Sequence, residues 1–310
     1  MKGEKAVVPE AEFRSYYGRP VIKAPVWHEP HMPTYLYLGG MSGVSSSMAV
    51  MARLTGNPRL ARTARVAAAV GAATGAALLA AELGRPERFL NMLRVFKPTS
   101  PMSVGSWILA AQGALSAAAA TSDLTGVLPA AGDAALLATA LTGPLTATYT
   151  AVLVADTAVP AWHEAYRELP FLFAGSAMAA AGGVAMLATP RAQAGPARAV
   201  AALGAAVETA AGTVMERRLG MVGRPYREGR AGRLMGTARM LTAGGGLLAA
   251  VAGRSRVLTA LSGLALTAGS LCTRFGVLEA GRASAADPAY TIVPQRERLD
   301  AVPSYSSITL

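Results

Sequence analysis

Leu169-Pro-Phe-Leu-Phe-Ala-Gly-Ser-Ala-Met-Ala-Ala-Ala-Gly-Gly-Val-Ala-Met-Leu-Ala-Thr189 runs 21 residues without one ionisable side chain. At 1.5 Å per residue a helix of this length spans roughly 30 Å, the thickness of a bilayer's hydrocarbon core. No polar face alternates with the apolar one, so the stretch does not read as an amphipathic surface helix. Seven further blocks of similar length and character lie on either side, near 33–52, 66–83, 102–121, 133–155, 197–215, 233–252 and 256–278. The chain is therefore expected to be an all-α integral membrane protein with about eight transmembrane helices, embedded in a lipid bilayer. The sixth block carries Glu208 and the seventh Arg239, so a plain hydropathy scan could miss either.

Composition agrees. Of 310 residues, 52% are hydrophobic and 15% charged, against about 25% charged in soluble domains. A soluble Ala-rich helical protein fits less well, because so many blocks lack a charged face. The net charge is +11, and 25 of the 29 basic residues are Arg. They lie between the apolar blocks, as loop residues of membrane proteins do, and no basic run is interleaved with aromatics, which argues against nucleic acid as a partner. The single cysteine, Cys272, can form no internal disulfide and cannot alone ligate zinc or an iron–sulfur cluster. Residues 1–32 form a polar, Pro-rich segment with no apolar core near Met1, so no cleavable signal peptide is expected. Residues 279–310 read as a polar tail.

Eight spans place both ends of the chain on one side, side A, with the loops near 84–101, 156–168 and 216–232. Side B holds the connections near 53–65, 122–132, 190–196 and 253–255. About 20 basic residues fall on side A and 8 on side B, which by the positive-inside rule puts side A, and both termini, in the cytoplasm. Gly-Arg-Pro recurs at Gly18, Gly84 and Gly223, always on side A. Glycine pairs four apart (Gly39 and Gly43, Gly71 and Gly75, Gly232 and Gly236) are expected to let helices approach closely.

The histidines, His28, His31 and His163, lie at side A rather than deep in a span. A membrane haem takes axial ligands from within the bundle, so no haem is expected. Polar residues inside spans are costly and therefore informative. Glu82 ends the second span, Tyr149 lies about two turns inside the fourth, and Asp156 marks its end. Glu208 and Arg239 are at similar depths, and their pairing would either orient two helices or serve a proton path. Arg274 is expected to snorkel to the interface. Trp27, His28, His31 and Tyr35 enter the first span as interfacial residues, with His31 also able to exchange a proton near neutral pH. Trp162 and His163 read as an interfacial loop.

Four stretches resemble one family: Tyr35-Leu-Tyr-Leu-Gly-Gly-Met-Ser-Gly43, Glu82-Leu-Gly-Arg-Pro-Glu-Arg-Phe89, Thr99-Ser-Pro-Met-Ser-Val-Gly-Ser-Trp107, and Thr148-Tyr-Thr-Ala-Val-Leu153 followed by Pro160-Ala-Trp162 and Leu169-Pro-Phe-Leu-Phe173. In order and placement they look like the NrfD family, which includes the membrane subunit of polysulfide reductase. Ser15-Tyr-Tyr-Gly-Arg-Pro20 and Asp287-Pro-Ala-Tyr-Thr-Ile-Val-Pro-Gln-Arg296 look more specifically like actinobacterial, formate-dehydrogenase-associated members. The resemblance implies two four-helix bundles, here 33–155 and 156–278, and a bound, non-covalent quinone (menaquinone or another) near side A of the first. By position that site draws on His31, Thr34, Tyr35 and Tyr149. Where the family commonly has Asp this chain has Glu82. Where the polysulfide reductase subunit has a His one turn into the first span, this chain has Thr34.

The resulting expectation is a quinone-reactive anchor in the bacterial cytoplasmic membrane, itself without haem or iron–sulfur cluster. It would pass electrons between quinone and a four-cluster iron–sulfur subunit, beside a molybdopterin-type catalytic subunit resembling formate dehydrogenase. Glu82, Asp156, Glu208 and Arg239 are the proton-relay candidates. The chain would belong to an oxidoreductase without acting on its substrate. The alternatives are a purely structural anchor, which predicts no bound quinone, and a proton-conducting or transport protein, which predicts flux without partners.

Overall fold

The computed structural model describes residues 20–300 except 84, 252 and 254. The Ser15–Pro20 motif, apart from Pro20, and the Gly-Arg-Pro glycines Gly18 and Gly84 lie outside the described residues. Eight helices of 20 residues or more carry the fold. They are α1 (His31–Leu54), α2 (Pro58–Glu82), α3 (Pro101–Thr125), α4 (Pro129–Ala155), α6 (Leu169–Ala188), α7 (Gly195–Arg218), α8 (Gly229–Val251) and α9 (Arg256–Ala286). Two short ones complete the set, α5 (Pro160–His163) and α10 (Ala289–Asp300). No strand occurs among the described residues.

The sequence sets the helix starts. Pro58, Pro101, Pro129 and Pro160 each occupy the first helical position, and Pro170 and Pro196 the second. There the missing N–H costs nothing and the fixed φ suits the helix. Ser100 and Ser255 cap α3 and α9 through their hydroxyls. The last helix runs further than expected: α9 continues past residue 278 to Ala286, because Ala-Gly-Arg-Ala-Ser-Ala-Ala contains no breaker before Pro288. The C-terminal residues 289–300, expected as a polar tail, form α10.

Six of the eight long helices (α2, α4, α6, α7, α8 and α9) are long and apolar enough to cross a membrane by themselves. The two that fall short are α1 and α3, not the Glu208 and Arg239 helices α7 and α8. The reason is packing. α1 is enclosed by α2, α4, α6 and α9, so its polar residues face protein rather than lipid. Ser42, Ser45 and Ser46 are buried on it, as is Gln112 on α3. Ser42 donates to the Ala68 carbonyl at 2.7 Å, Gln112 to Ser46 at 2.6 Å, and Thr142 to Gln112 at 2.7 Å. Hydrogen bonds of this kind satisfy polar groups that lipid cannot.

α1–α4 pack on one another, as do α6–α9, and α1, α2 and α4 meet α6 where the two groups touch. The close approach is steepest where Gly43 and Gly143 face each other, since a Cβ on either would strike the other's carbonyl oxygen. Gly71 is likewise pressed against α1. Gly39 and Gly236 correct the expectation, for a Cβ at either meets nothing within 4 Å.

Candidate functional site

The chain enters α1 along a segment fastened to the other half of the molecule. Glu29 accepts from Arg230 at 2.6 Å and from Arg282 at 3.1 Å, and Arg282 also donates to the Trp27 carbonyl. The start of the first long helix and the end of the last therefore share one side. Trp27 stacks on Trp162, with ring centroids 5.1 Å apart. Trp162 is not interfacial as expected: it is 1% exposed, donates to the Val277 carbonyl at 2.7 Å, and packs against Gly281, where a Cβ would occupy the indole's place. The Gly223-Arg-Pro segment delivers the buried Tyr226, whose hydroxyl donates to the Ala161 carbonyl at 2.9 Å. Burial pushes this phenol well above its ordinary pKa, so it stays a neutral donor.

That fastening holds His28 over the end of α2. Glu82 Oε1 accepts from the His28 backbone N–H at 2.7 Å and lies 3.1 Å from His28 Nδ1. His31 Nδ1 lies 3.6 Å from Glu82 Oε2, an oxygen that is buried without a hydrogen-bond partner. The histidine side chains are 72% and 41% exposed and the carboxylate 9%, so the cluster sits at a boundary between solvent and bundle. His31 and Tyr35 are one turn apart and share a face of α1. Inward of His31, the buried Tyr35 hydroxyl meets the hydroxyl of Tyr149 on α4. Gly105 on α3 is where the Tyr149 ring rests, since a Cβ there would overlap it. Leu78 and Leu79 of α2 pack beside Tyr149 against the same core.

Of the sequence-predicted residues, the structure brings together Tyr35 with Tyr149, and His31 with Glu82. Thr34 is half-buried at the same turn of α1, and its N–H is taken by the Pro30 carbonyl. Asp156 is exposed at the end of α4 and does not bond the tyrosines or Glu82. Sequence reasoning did not place His28 in the site. Its signal was the i, i+3 spacing to His31, which is uninformative until a helix start is fixed between them.

Glu208 and Arg239 do not pair. Arg239, 45% exposed, bonds Glu216 at 3.1 Å. Glu208 is buried among hydroxyls, accepting from Thr273 at 2.5 Å and from Thr242 at 3.4 Å. The reason is reach: Glu216 is two turns nearer the end of α7, where Arg239 can keep its head group in polar surroundings. Arg274 does not snorkel either. It is fully buried, stacks 3.7 Å from the Phe173 ring centroid and donates to the Phe173 carbonyl at 2.9 Å. α9 continues 12 residues beyond it, about 18 Å at 1.5 Å per residue, too far for its side chain to span. A cavity of about 20 Å³, bordered by Glu208, Glu216, Arg239, Thr242 and Thr273, joins the two acids and is large enough for one water. Among the described residues no group of three or more His, Cys, Asp or Glu side chains is placed to hold a metal ion.

No curated protein matches the chain. A family model does, over residues 20–203: the polysulphide reductase family, NrfD. That stretch spans α1 to the first third of α7 and includes every residue of the His28–Glu82 and Tyr35–Tyr149 clusters. This multi-pass membrane protein belongs to the NrfD (polysulphide reductase) family, whose members are quinone-interacting membrane subunits of oxidoreductases that usually work with iron–sulfur and molybdopterin subunits.

Proposed function

We propose that the chain is the membrane anchor and quinone-reactive subunit of an iron–sulfur and molybdopterin oxidoreductase of the formate-dehydrogenase-associated type. It exchanges electrons between a four-cluster iron–sulfur partner and menaquinone or a similar quinone. The site lies in the four-helix unit 33–155, with 156–278 as the second unit. The observation that carries this reading is the Tyr35–Tyr149 hydroxyl pair, below a carboxylate with one oxygen unsatisfied. A phenol carries one proton. When one hydroxyl donates to the other, the second proton remains available to a third group, and a carbonyl oxygen suits it. The quinone supplies the two-electron chemistry.

The chain's own residues supply position and protons. Tyr35 and Tyr149 offer a donor inside the bundle, and His31 offers a second at its edge, with Thr34 beside it. Glu82 holds His28 and His31 in place and links the interior to solvent. A carboxylate in contact with imidazoles can pass protons from one to the next. In the second unit, Glu208 is a relay candidate reached from side A past Glu216 and Arg239. Asp156 remains a candidate only for proton entry at the surface.

Purification in mild detergent, with mass spectrometry of subunits and extracted quinone, tests the proposal. The expected result is a complex holding an iron–sulfur subunit, a molybdopterin subunit and bound quinone. A stable, active chain with neither partner nor quinone overturns it. The membrane is taken to be the bacterial cytoplasmic membrane with both termini inside. A reporter fused after Leu310 that is active only outside the cytoplasm reverses the orientation and moves the partner to the outer face.

A further inference from the structure

At the end of the molecule opposite the histidine cluster, a cavity of about 940 Å³ opens between α2 and α6. Its lining changes character with depth. At the rim stand Arg53, Arg59, Arg62 and Arg65, and further into the span come Val66, Val70 and Val184. From Arg62 to Val70 is about 12 Å along a helix, a step from the headgroup region into the acyl region. Val70 is 58% exposed on this wall.

The charges at the rim do not balance. Asp123 takes Arg62 at 2.9 Å and Arg65 at 2.8 Å. Asp133 takes Arg53 and, at 3.4 Å, Arg65. Two carboxylates thus face four arginines, and among the described residues the Arg59 guanidinium has no ion pair. Arg65 is 6% exposed, and its Nε is buried with no hydrogen-bond partner. Arg65 thus spends its terminal nitrogens on the two carboxylates, while the exposed Arg59 and Arg62 are the guanidiniums a headgroup can reach. The first turn of α2 adds its positive end at the same rim.

We propose that this groove binds one anionic phospholipid, its phosphate against Arg59 and Arg62 and its acyl chains along Val66, Val70 and Val184. The apolar wall below the arginines selects a lipid over a soluble anion. The surplus positive charge selects an anionic head over a zwitterionic one, whose ammonium would face arginine. Because α2 belongs to the first helix group and α6 to the second, the lipid lies over the seam between them.

The test uses the full-length chain with whatever subunits accompany it, in phosphatidylcholine nanodiscs with and without phosphatidylglycerol. Native mass spectrometry counts retained lipid, and thermal unfolding reads its effect. The wild type is expected to keep about one phosphatidylglycerol per chain and to unfold at a higher temperature with it. Arg59→Gln with Arg62→Gln should weaken retention about tenfold. Val70→Trp fills the groove without touching the ion pairs and should also release the lipid, which decides the matter should the double variant not fold. Equal retention by wild type and Val70→Trp means a general lipid annulus and overturns the proposal. So does equal retention of phosphatidylcholine, or inorganic phosphate stabilising the lipid-free chain as much as phosphatidylglycerol does.

Discussion

Glu82 and Glu208 are both carboxylates removed from water in a membrane bundle, yet their surroundings are opposite in kind. Glu82 closes the end of α2 and is met by two histidines that reach solvent and by a backbone N–H, with one oxygen left over. Glu208 lies in mid-helix and is met by the hydroxyls of Thr273 and Thr242, with the buried Arg274 next to Thr273 on α9. The partners of Glu82 are imidazoles that reach solvent and can be displaced by an incoming group. The partners of Glu208 are neutral hydroxyls fixed on two packed helices, α8 and α9. The first arrangement is equipped for exchange. The second ties α7, α8 and α9 together and borders a water-sized cavity.

That contrast gives its largest test at Glu208. Glu208→Leu removes the acceptor of Thr242 and the nearer acceptor of Thr273, which keeps only the Gly269 carbonyl. Leaving buried polar groups unsatisfied typically costs about 1–3 kcal/mol each. Thermal unfolding in nanodiscs should show a large loss, and a variant as stable as wild type breaks the comparison. Glu208→Gln keeps hydrogen bonding and should lose clearly less.

At the exchange site the expected effect is on turnover. Tyr149→Phe removes one hydroxyl, worth on the order of 1 kcal/mol or more, so quinone-linked turnover per assembled complex should fall roughly fivefold or more. Reduction of a soluble dye by the partner subunits should be unchanged, since that path bypasses this chain. Turnover equal to wild type would mean that the tyrosine pair only packs α1 against α4.

Glu82→Gln sharpens the distinction, because it keeps an oxygen to accept from the His28 N–H and should lower quinone-linked turnover severalfold while shifting stability by about one hydrogen bond, on the order of 1 kcal/mol. A large stability loss with normal turnover makes Glu82 a structural residue like Glu208. Smallest of all is Arg239→Gln. Its pair with Glu216 is half-exposed, so the expected cost is at most about 1 kcal/mol, and a loss comparable to that of Glu208→Leu would restore the Glu208–Arg239 pairing that the structure separates.

The helices were legible because lipid is a demanding solvent. Every spanning segment must satisfy its own backbone, which fixes length and composition locally. All eight blocks became long helices, and prolines in the first turns of α1–α4, α6 and α7 wrote their starts. Their ends were less legible: Ala, Gly and Ser neither favour lipid strongly nor stop a helix, so α9 ran on to Ala286. The site was legible in its residue types only. Tyr149 stood out as a phenol inside a span, and Glu82 as a carboxylate at the end of one. Their partners could not be read, because Tyr35 and Tyr149 are separated by 114 residues and hydrophobic periodicity says nothing about which helix faces which.

The sequence by itself therefore determined the membrane class, the helices and the family, since each depends on local composition or on ordered motifs. Tertiary structure alone decided that Arg274 is enclosed rather than snorkelling, that Arg239 turns to Glu216, and that His28 and His31 share Glu82. The physical reason is the same in each case. A polar side chain in a bundle goes to whichever partner the packing brings within about 3 Å, and helix rotation and neighbour choice, not sequence distance, set that partner.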